Sequence, residues 1–200
     1  MKKKNLLYIV AFILVIAILA VGVSLAYFTD QKSVQNTFTV GNVEIGLTET
    51  EWNADAEHVV LPGSEFNKNP VVTNTGSESA WIRMNVTVSD YDVFAAAVPA
   101  GSDLGEIFVG HDGTKWTLAG TPKVDTTANT VTYSYFWNVP LASGASTDAL
   151  FTSVKIPTYF TPATMYALDD EFTVSVTADA IQELGFTAPA AAFAAFDAQA

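Results

Sequence analysis

Residues 80–88 read A-W-I-R-M-N-V-T-V, and Ala80, Ile82, Met84, Val86 and Val88 alternate strictly with Trp81, Arg83, Asn85 and Thr87. Side chains on a strand point to opposite faces in turn, so the stretch predicts a half-buried β-strand with its even-numbered residues in a core. Arg83, Asn85 and Thr87 then face outward, because a slip of one residue would bury the charge. On this reading Ile82→Ala costs on the order of 2 to 5 kcal/mol, and Arg83→Ala little by comparison.

Similar patterns recur on both sides. Val131, Tyr133, Tyr135 and Trp137 alternate with Thr132, Ser134, Phe136 and Asn138, a strand with aromatic residues on both faces. Phe172, Val174 and Val176 alternate with Thr173, Ser175 and Thr177 as the last strand. Residues 58–61, a short apolar run that Pro62-Gly63 ends, read as a short strand, as do Phe151, Val154 and Ile156, which Pro157 closes. Residues 107–109 and 115–118 flank Gly110-His111-Asp112-Gly113, where Asp-Gly predicts a hairpin. Residues 90–100 suggest a short helix, and residues 188–198, alanine-rich with Phe193 and Phe196 three apart, a short C-terminal helix. Some eight to ten short strands point to an all-β, antiparallel sandwich or barrel. A jelly-roll-like sandwich with short peripheral helices and an immunoglobulin-like sandwich both fit that count.

The amino-terminal part is of another kind. Lys2, Lys3 and Lys4 precede an apolar run over residues 6–25, and Ser24 and Ala26 supply the small residues that a signal peptidase accepts at minus three and minus one. Residues 1–26 thus read as a signal helix whose removal leaves Tyr27 first. At 20 residues the run is also long enough to span a bilayer as an uncleaved anchor, the one route by which a membrane becomes a partner. Residues 27–200 suit a single domain. Within it Phe38 and Val40 occupy even positions, while Val43, Ile45 and Leu47 occupy odd ones, so a β-bulge or bend is expected at Gly41-Asn42.

Charge narrows the partners. The chain carries 21 acidic and nine basic residues, and because three lysines and no acid lie before Tyr27, the processed product has a formal charge of -15. Nucleic acid and anionic lipid both call for basic surface and are excluded. Such an acidic surface keeps monomers apart and makes salt or divalent cations triggers for self-association. Cysteine is absent, so there is no disulfide framework, thiolate metal site or cysteine nucleophile.

Three segments carry a family likeness. A-Y-F-T-D at 26–30 followed by N-T-F-T-V-G-N-V-E-I-G-L at 36–47, N-T-G-S-E-S-A-W-I-R at 74–83, and V-S-V-T-A-D-A-I-Q-E-L-G-F at 174–186 resemble the TasA and camelysin (CalY) group of secreted proteins. The resemblance implies cleavage by the specialised signal peptidase SipW, a jelly roll, and a place in the extracellular matrix or at the cell surface. It further implies that residues 27–39 act as a donor strand, with Phe28, Val34 and Phe38 offering side chains to a neighbouring subunit; the same residues read equally as the first strand of the chain's own sheet or as a disordered tail. The partners expected are copies of the same chain or other matrix proteins. A camelysin-like surface metallopeptidase and an accessory subunit that anchors another protein's fibre are the competing readings.

A peptidase of the zincin kind requires His-Glu-x-x-His, and nothing here matches; His58 and His111 are the only histidines. No Gly-x-Ser-x-Gly elbow frames a serine, and no phosphate-binding glycine loop appears. Asp169, Asp170 and Glu171, or Asp103 with Glu106, offer carboxylates for calcium but lack the pattern of a calcium loop, and a solvated acidic edge is the plainer reading. Trp52, Trp81, Trp116 and Trp137 read as core or face-packing aromatics. No cofactor and no catalytic or metal-binding residue is expected.

Overall fold

The computed structural model describes residues 41–53, 58–168 and 172–198. The leader, the segment 27–39, Asp169, Asp170 and Glu171 lie outside these. So do Ser24, Ala26, Tyr27, Phe28, Val34 and Phe38, and the Phe38 side of the expected bend at Gly41.

Among the described residues ten strands run in chain order: β1 (Ile45–Glu49), β2 (Glu65–Asn67), β3 (Pro70–Asn74), β4 (Ala80–Val88), β5 (Phe108–Val109), β6 (Trp116–Leu118), β7 (Lys123–Asp125), β8 (Thr130–Trp137), β9 (Ser153–Lys155) and β10 (Val174–Gln182). Every ladder among them is antiparallel. Three short helices accompany them: α1 (Tyr91–Ala97), α2 (Pro162–Tyr166) and α3 (Pro189–Asp197). Thr161 starts α2 with a capping box and Pro162 fills its first turn, where a missing N–H costs nothing.

β4 is central. Its even residues Ala80, Ile82, Met84, Val86 and Val88 are all fully buried, as the alternation predicts. One edge pairs with β10, from Val174 opposite Val88 to Gln182 opposite Ala80; the other pairs with β8. On β8 Val131, Tyr133, Tyr135 and Trp137 are buried on the same side. These two rows meet Val72 of β3, Phe108 of β5, Phe151 and Val154 in one core, and Phe108 bridges the layers, 5.0 Å from Phe151 and 5.5 Å from Tyr133 between ring centroids.

The sheet's outer face is not open to solvent where Arg83 lies. Helix α3 covers it, with Phe193 stacked on Phe136 at 5.5 Å and Trp81 buried beneath Ala192 and Phe193. The stripe of Phe193 and Phe196 thus docks as its spacing suggests. Arg83 points away from the main core as expected, yet the helix holds its side chain to 13% exposure, so the expectation that truncating it costs little does not stand.

Two local expectations fail. Residues 58–61 form no strand. The hairpin expected across residues 107–118 is absent: β5 pairs with β9, whereas β6 pairs with β8. Gly110 takes a left-handed φ of +78° and turns the chain out of one sheet. Asp112 then caps the next turn, accepting from the Thr114 N–H at 2.9 Å, and the Lys115 and Trp116 N–H groups donate to its carbonyl. Asp-Gly here steers a crossover between layers, because the asparagine-like turn chemistry of Asp112 is satisfied locally without a partner strand.

Candidate functional site: the edge strand β10

The sheet order β10-β4-β8 ends on the far side in β6 and β7, which pair successively with β8 and act as one interrupted edge strand. Residues 119–122 break it, with Gly120 at a φ of +78°, then Pro122 and Lys123. A bulge, a proline and a lysine are the means by which an edge is closed to further pairing. The opposite edge has none of these. β10 runs nine residues, V-S-V-T-A-D-A-I-Q, with neither glycine nor proline. It pairs with β4 on one side, and among the described residues no strand pairs with its other side. β1, itself the edge of the β1-β3 sheet, approaches β10 without a ladder. Val43, Ile45 and Leu47 in and just before β1, and Val174, Val176, Ala178 and Ala180 of β10, pack partly buried against the core.

A hollow lies at each end of β10. The first is lined by Trp52, His58, Phe66, Lys68, Phe172 and Val174. Trp52 stacks on His58 at 4.1 Å, and His58 meets the edge of Phe66 at 5.5 Å. The Lys68 ammonium, on a residue only 7% exposed, sits 5.0 Å from the Trp52 ring centroid and 2.7 Å from the Glu49 carboxylate. The second hollow is lined by Gly41, Val43, Glu78, Gln182, Leu184 and Phe186, with Leu184 left 83% exposed.

The chain enters this region under tight control. Asn74, fully buried, donates from Nδ2 to the Glu78 and Leu141 carbonyls, both at 2.8 Å, and its Oδ1 accepts from the Gly76 N–H at 3.0 Å. The turn so fixed presents four N–H groups to the chain just before β1: Thr75 and Gly76 donate to the Glu44 carbonyl, Ser77 and Glu78 to that of Asn42. Asn42 N–H donates in return to the Ser77 hydroxyl. The position of Gly41 is therefore fixed by the N-T-G-S-E-S motif, a role that sequence reading left unassigned.

Elsewhere the chemistry is quiet. His58 belongs to the aromatic stack, and His111 lies 3.2 Å from the Leu150 carbonyl against the Tyr135 ring. The Asp103 carboxylate accepts from the Gly105 N–H and from the Tyr133 hydroxyl, which burial and that nearby charge hold protonated far above its ordinary range. Tyr135 is pushed up to about 12, by burial first and by Asp103 second. Among the described residues no three His, Asp or Glu side chains gather as a metal site would need, and no helix is long and apolar enough to cross a membrane. Trp116 and Trp137 lie in the core 5.1 Å apart and Trp81 under α3, while Trp52 lines the first hollow.

The sequence pattern of a family described as camelysin metallo-endopeptidase matches residues 1–110, more than half of the chain. The chain belongs to that family. No curated protein and no solved structure matches it. The camelysin match takes in the apolar residues 6–25, the segment before β1 and the N-T-G-S-E-S turn; the likeness noted at 174–186 falls beyond it. Within the matched residues His58 is the only histidine, so a zinc site built on paired imidazoles finds no second ligand there.

Proposed function

We propose that this camelysin-family protein is a secreted structural subunit of a bacterial surface or biofilm matrix, a jelly-roll-like sandwich that assembles by donating residues 27–39 to the sheet of the next subunit. The observation that carries the reading is the contrast between the sheet's two edges. The β6–β7 edge is interrupted at residues 119–122, with Gly120 and Pro122, while the nine residues of β10 run without a break and, among the described residues, pair with no strand on their outer side. Unpaired backbone along a strand of this length invites another chain, and a fold that blunts one edge while leaving the other intact has a use for the second. Segment 27–39 has the composition for it: Asp30 to Asn36 is largely polar, and on a strand the even-numbered Phe28, Val34 and Phe38 would share one face.

Processing after Ala26 frees that segment. Mass spectrometry of the secreted protein finds Tyr27 first, and a product that keeps residues 6–25 instead speaks for an anchor. Electron microscopy of the mature protein, before and after salt or acid, tests assembly itself. Fibres from the full mature chain and none from a chain lacking residues 27–37 support the reading; fibres from both, or from neither, end it. The peptidase named in the family description is tested in the same preparation by zinc analysis and a casein cleavage assay.

A further inference from the structure

Resting on the donor-strand reading above, we propose a register: the incoming strand runs antiparallel to β10, with Phe38 in the hollow of Trp52, Phe66, Lys68 and Phe172, and Phe28 in the hollow of Val43, Leu184 and Phe186, both supplied by a second copy of the chain.

Spacing is the first support. The hollows lie at the two ends of β10, one against residues 172–175 and the other against Gln182 and the turn that follows it. Phe28 and Phe38 are ten residues apart and, on a strand, share a face with Val34 between them. One side of a bound strand thus meets both hollows together, while Val34 lies over the small side chains Ala178 and Ala180, partly buried at the middle of β10. Direction is the second support: every ladder among the described strands is antiparallel, so an added strand that keeps the pattern places its residue 38 at the Val174 end.

Reach decides whose segment it is. Gly41 lines the hollow at Gln182 and is tied there through Asn42 and Glu44 to the turn at residues 75–78. Phe38 precedes Gly41 by three residues and lies no more than about 11 Å from it on an extended chain. The far hollow stands about 26 Å away, eight residues along β10. Three residues of chain do not span that distance, so Phe38 of the same chain cannot fill the Trp52 hollow. Phe38 in the Trp52 hollow comes from a neighbour.

The hollows differ in a way that suits the assignment. The one given to Phe38 has Trp52, Phe66 and Phe172 in its walls and a buried ammonium, whose positive charge favours the electron-rich face of an aromatic ring. The other is bordered by Glu78 and Glu183 and keeps Leu184 exposed, so an aromatic seated there covers apolar surface that is otherwise wet.

The test uses the full mature chain, starting at Tyr27. A photoreactive benzoylphenylalanine replaces Phe38 in one sample and Phe28 in another. Each is mixed with nitrogen-15-labelled unmodified subunits, and cross-linked peptides are mapped by mass. Expected are light–heavy adducts from position 38 to the peptide holding residues 172–175 or Trp52, and from position 28 to residues 182–186. Adducts of position 38 within one chain, at residues 182–186, overturn the proposal and the donor-strand reading together. Light–heavy adducts at any other surface overturn the register and leave strand donation standing. A second measurement covers the case in which the bulky probe blocks assembly. Phe28→Ala and Phe38→Ala raise the concentration needed for fibres by roughly ten- to hundredfold, from the lost burial of one aromatic each. Thr29→Ala and Thr37→Ala, on the opposite face, leave it within about twofold of wild type. Equal effects on the two faces refute the register.

Discussion

The Arg83 guanidinium grips Asp197 at two points, Nη1 to Oδ2 at 2.8 Å and Nη2 to Oδ1 at 2.9 Å, and so ties the centre of β4 to the last residue of α3. Its Nε also donates to Asp179 of β10 at 2.9 Å, and its plane lies 4.6 Å from the ring centroid of Phe193. One side chain therefore joins a central strand, an edge strand and the covering helix.

Removing that joint has a cost that depends on geometry as well as charge. Arg83→Ala should lower stability by about 1 to 3 kcal/mol, from lost charge-assisted bonds discounted for the exposure of Asp197. Arg83→Lys should recover only part of this, because a lysine supplies neither the planar fork nor the stacking on Phe193. Ile82→Ala, which opens a cavity in the core, should still cost more, about 2 to 5 kcal/mol. Urea melts of the three variants check the order; a wild-type midpoint for Arg83→Ala contradicts it.

The same joint responds to acid. Hydrogen bonding to Arg83, and its charge, hold the Asp197 carboxyl below the usual carboxylate range. A carboxyl depressed in the folded state contributes stability above its unfolded value and loses it as pH falls through the folded one. The hold of α3 should therefore be complete at neutral pH and fade below about pH 4. Trp81 reports it, since α3 buries that ring to 5% exposure. The difference in fluorescence between wild type and Trp81→Phe should red-shift on acidification, and in an Arg83→Ala background it should be shifted already at pH 7. A Trp81 signal that holds until the whole protein unfolds refutes this.

Asn74 and Gly76 make the third case. Asn74→Ala removes two donors and an acceptor from a site with no water access and should cost about 2 to 4 kcal/mol. Asn74→Asp should be worse at neutral pH, because a carboxylate has no hydrogen to give the Glu78 and Leu141 carbonyls and is buried besides. At Gly76 a side chain has no room: a Cβ would run into the Asn42 carbonyl and stand 2.7 Å from the Glu44 nitrogen. Gly76→Ala should loosen the start of β1 and speed amide exchange at Thr75, Gly76 and Ser77 before it lowers the melting midpoint. Unchanged exchange there shows the turn to be dispensable.

How much of this the sequence discloses follows from the distance over which each feature is determined. The buried row of β4 and the docking stripe of α3 are legible because a period of two or of 3.6 is written in neighbouring residues. The hairpin at residues 107–118 is misread because Asp112-Gly113 has the same local chemistry in a hairpin as in a crossover, and only the pairing of Val109 with Ser153 and of Trp116 with Trp137 separates them. Arg83 finds its partners 96 and 114 residues away, so its cover by a helix leaves no local trace. That β10 ends the sheet among the described residues is a property of sheet order, and periodicity carries no sheet order. For Asn74 a signal exists, since Asn-x-Gly before a strand marks a side chain that bonds its own turn.

Lys68 and Glu49 give the last prediction, at the hollow assigned to Phe38. The pair is 2.7 Å apart on residues that are mostly buried, with side chains 8% and 21% exposed, and Glu49 Oε1 is buried with no hydrogen-bond partner among the described residues. A buried pair of this kind offsets much of its attraction with the cost of drying both charges, so it contributes little net stability while either half alone is costly. Lys68→Met should therefore destabilise by about 2 to 4 kcal/mol, because the Glu49 carboxylate is left in the interior with no counter-charge. Glu49→Gln should cost less, since the Lys68 ammonium keeps the Trp52 face at 5.0 Å. The double change Lys68→Met with Glu49→Gln should fall within about 1 kcal/mol of wild type, giving a large coupling energy in a double-mutant cycle. Purely additive losses would show that the pair is a surface contact and that the hollow is wetter than its walls suggest. If the hollow takes an aromatic ring, Lys68→Met should also weaken assembly in the double mutant, where the fold is intact but the charge facing the ring is gone.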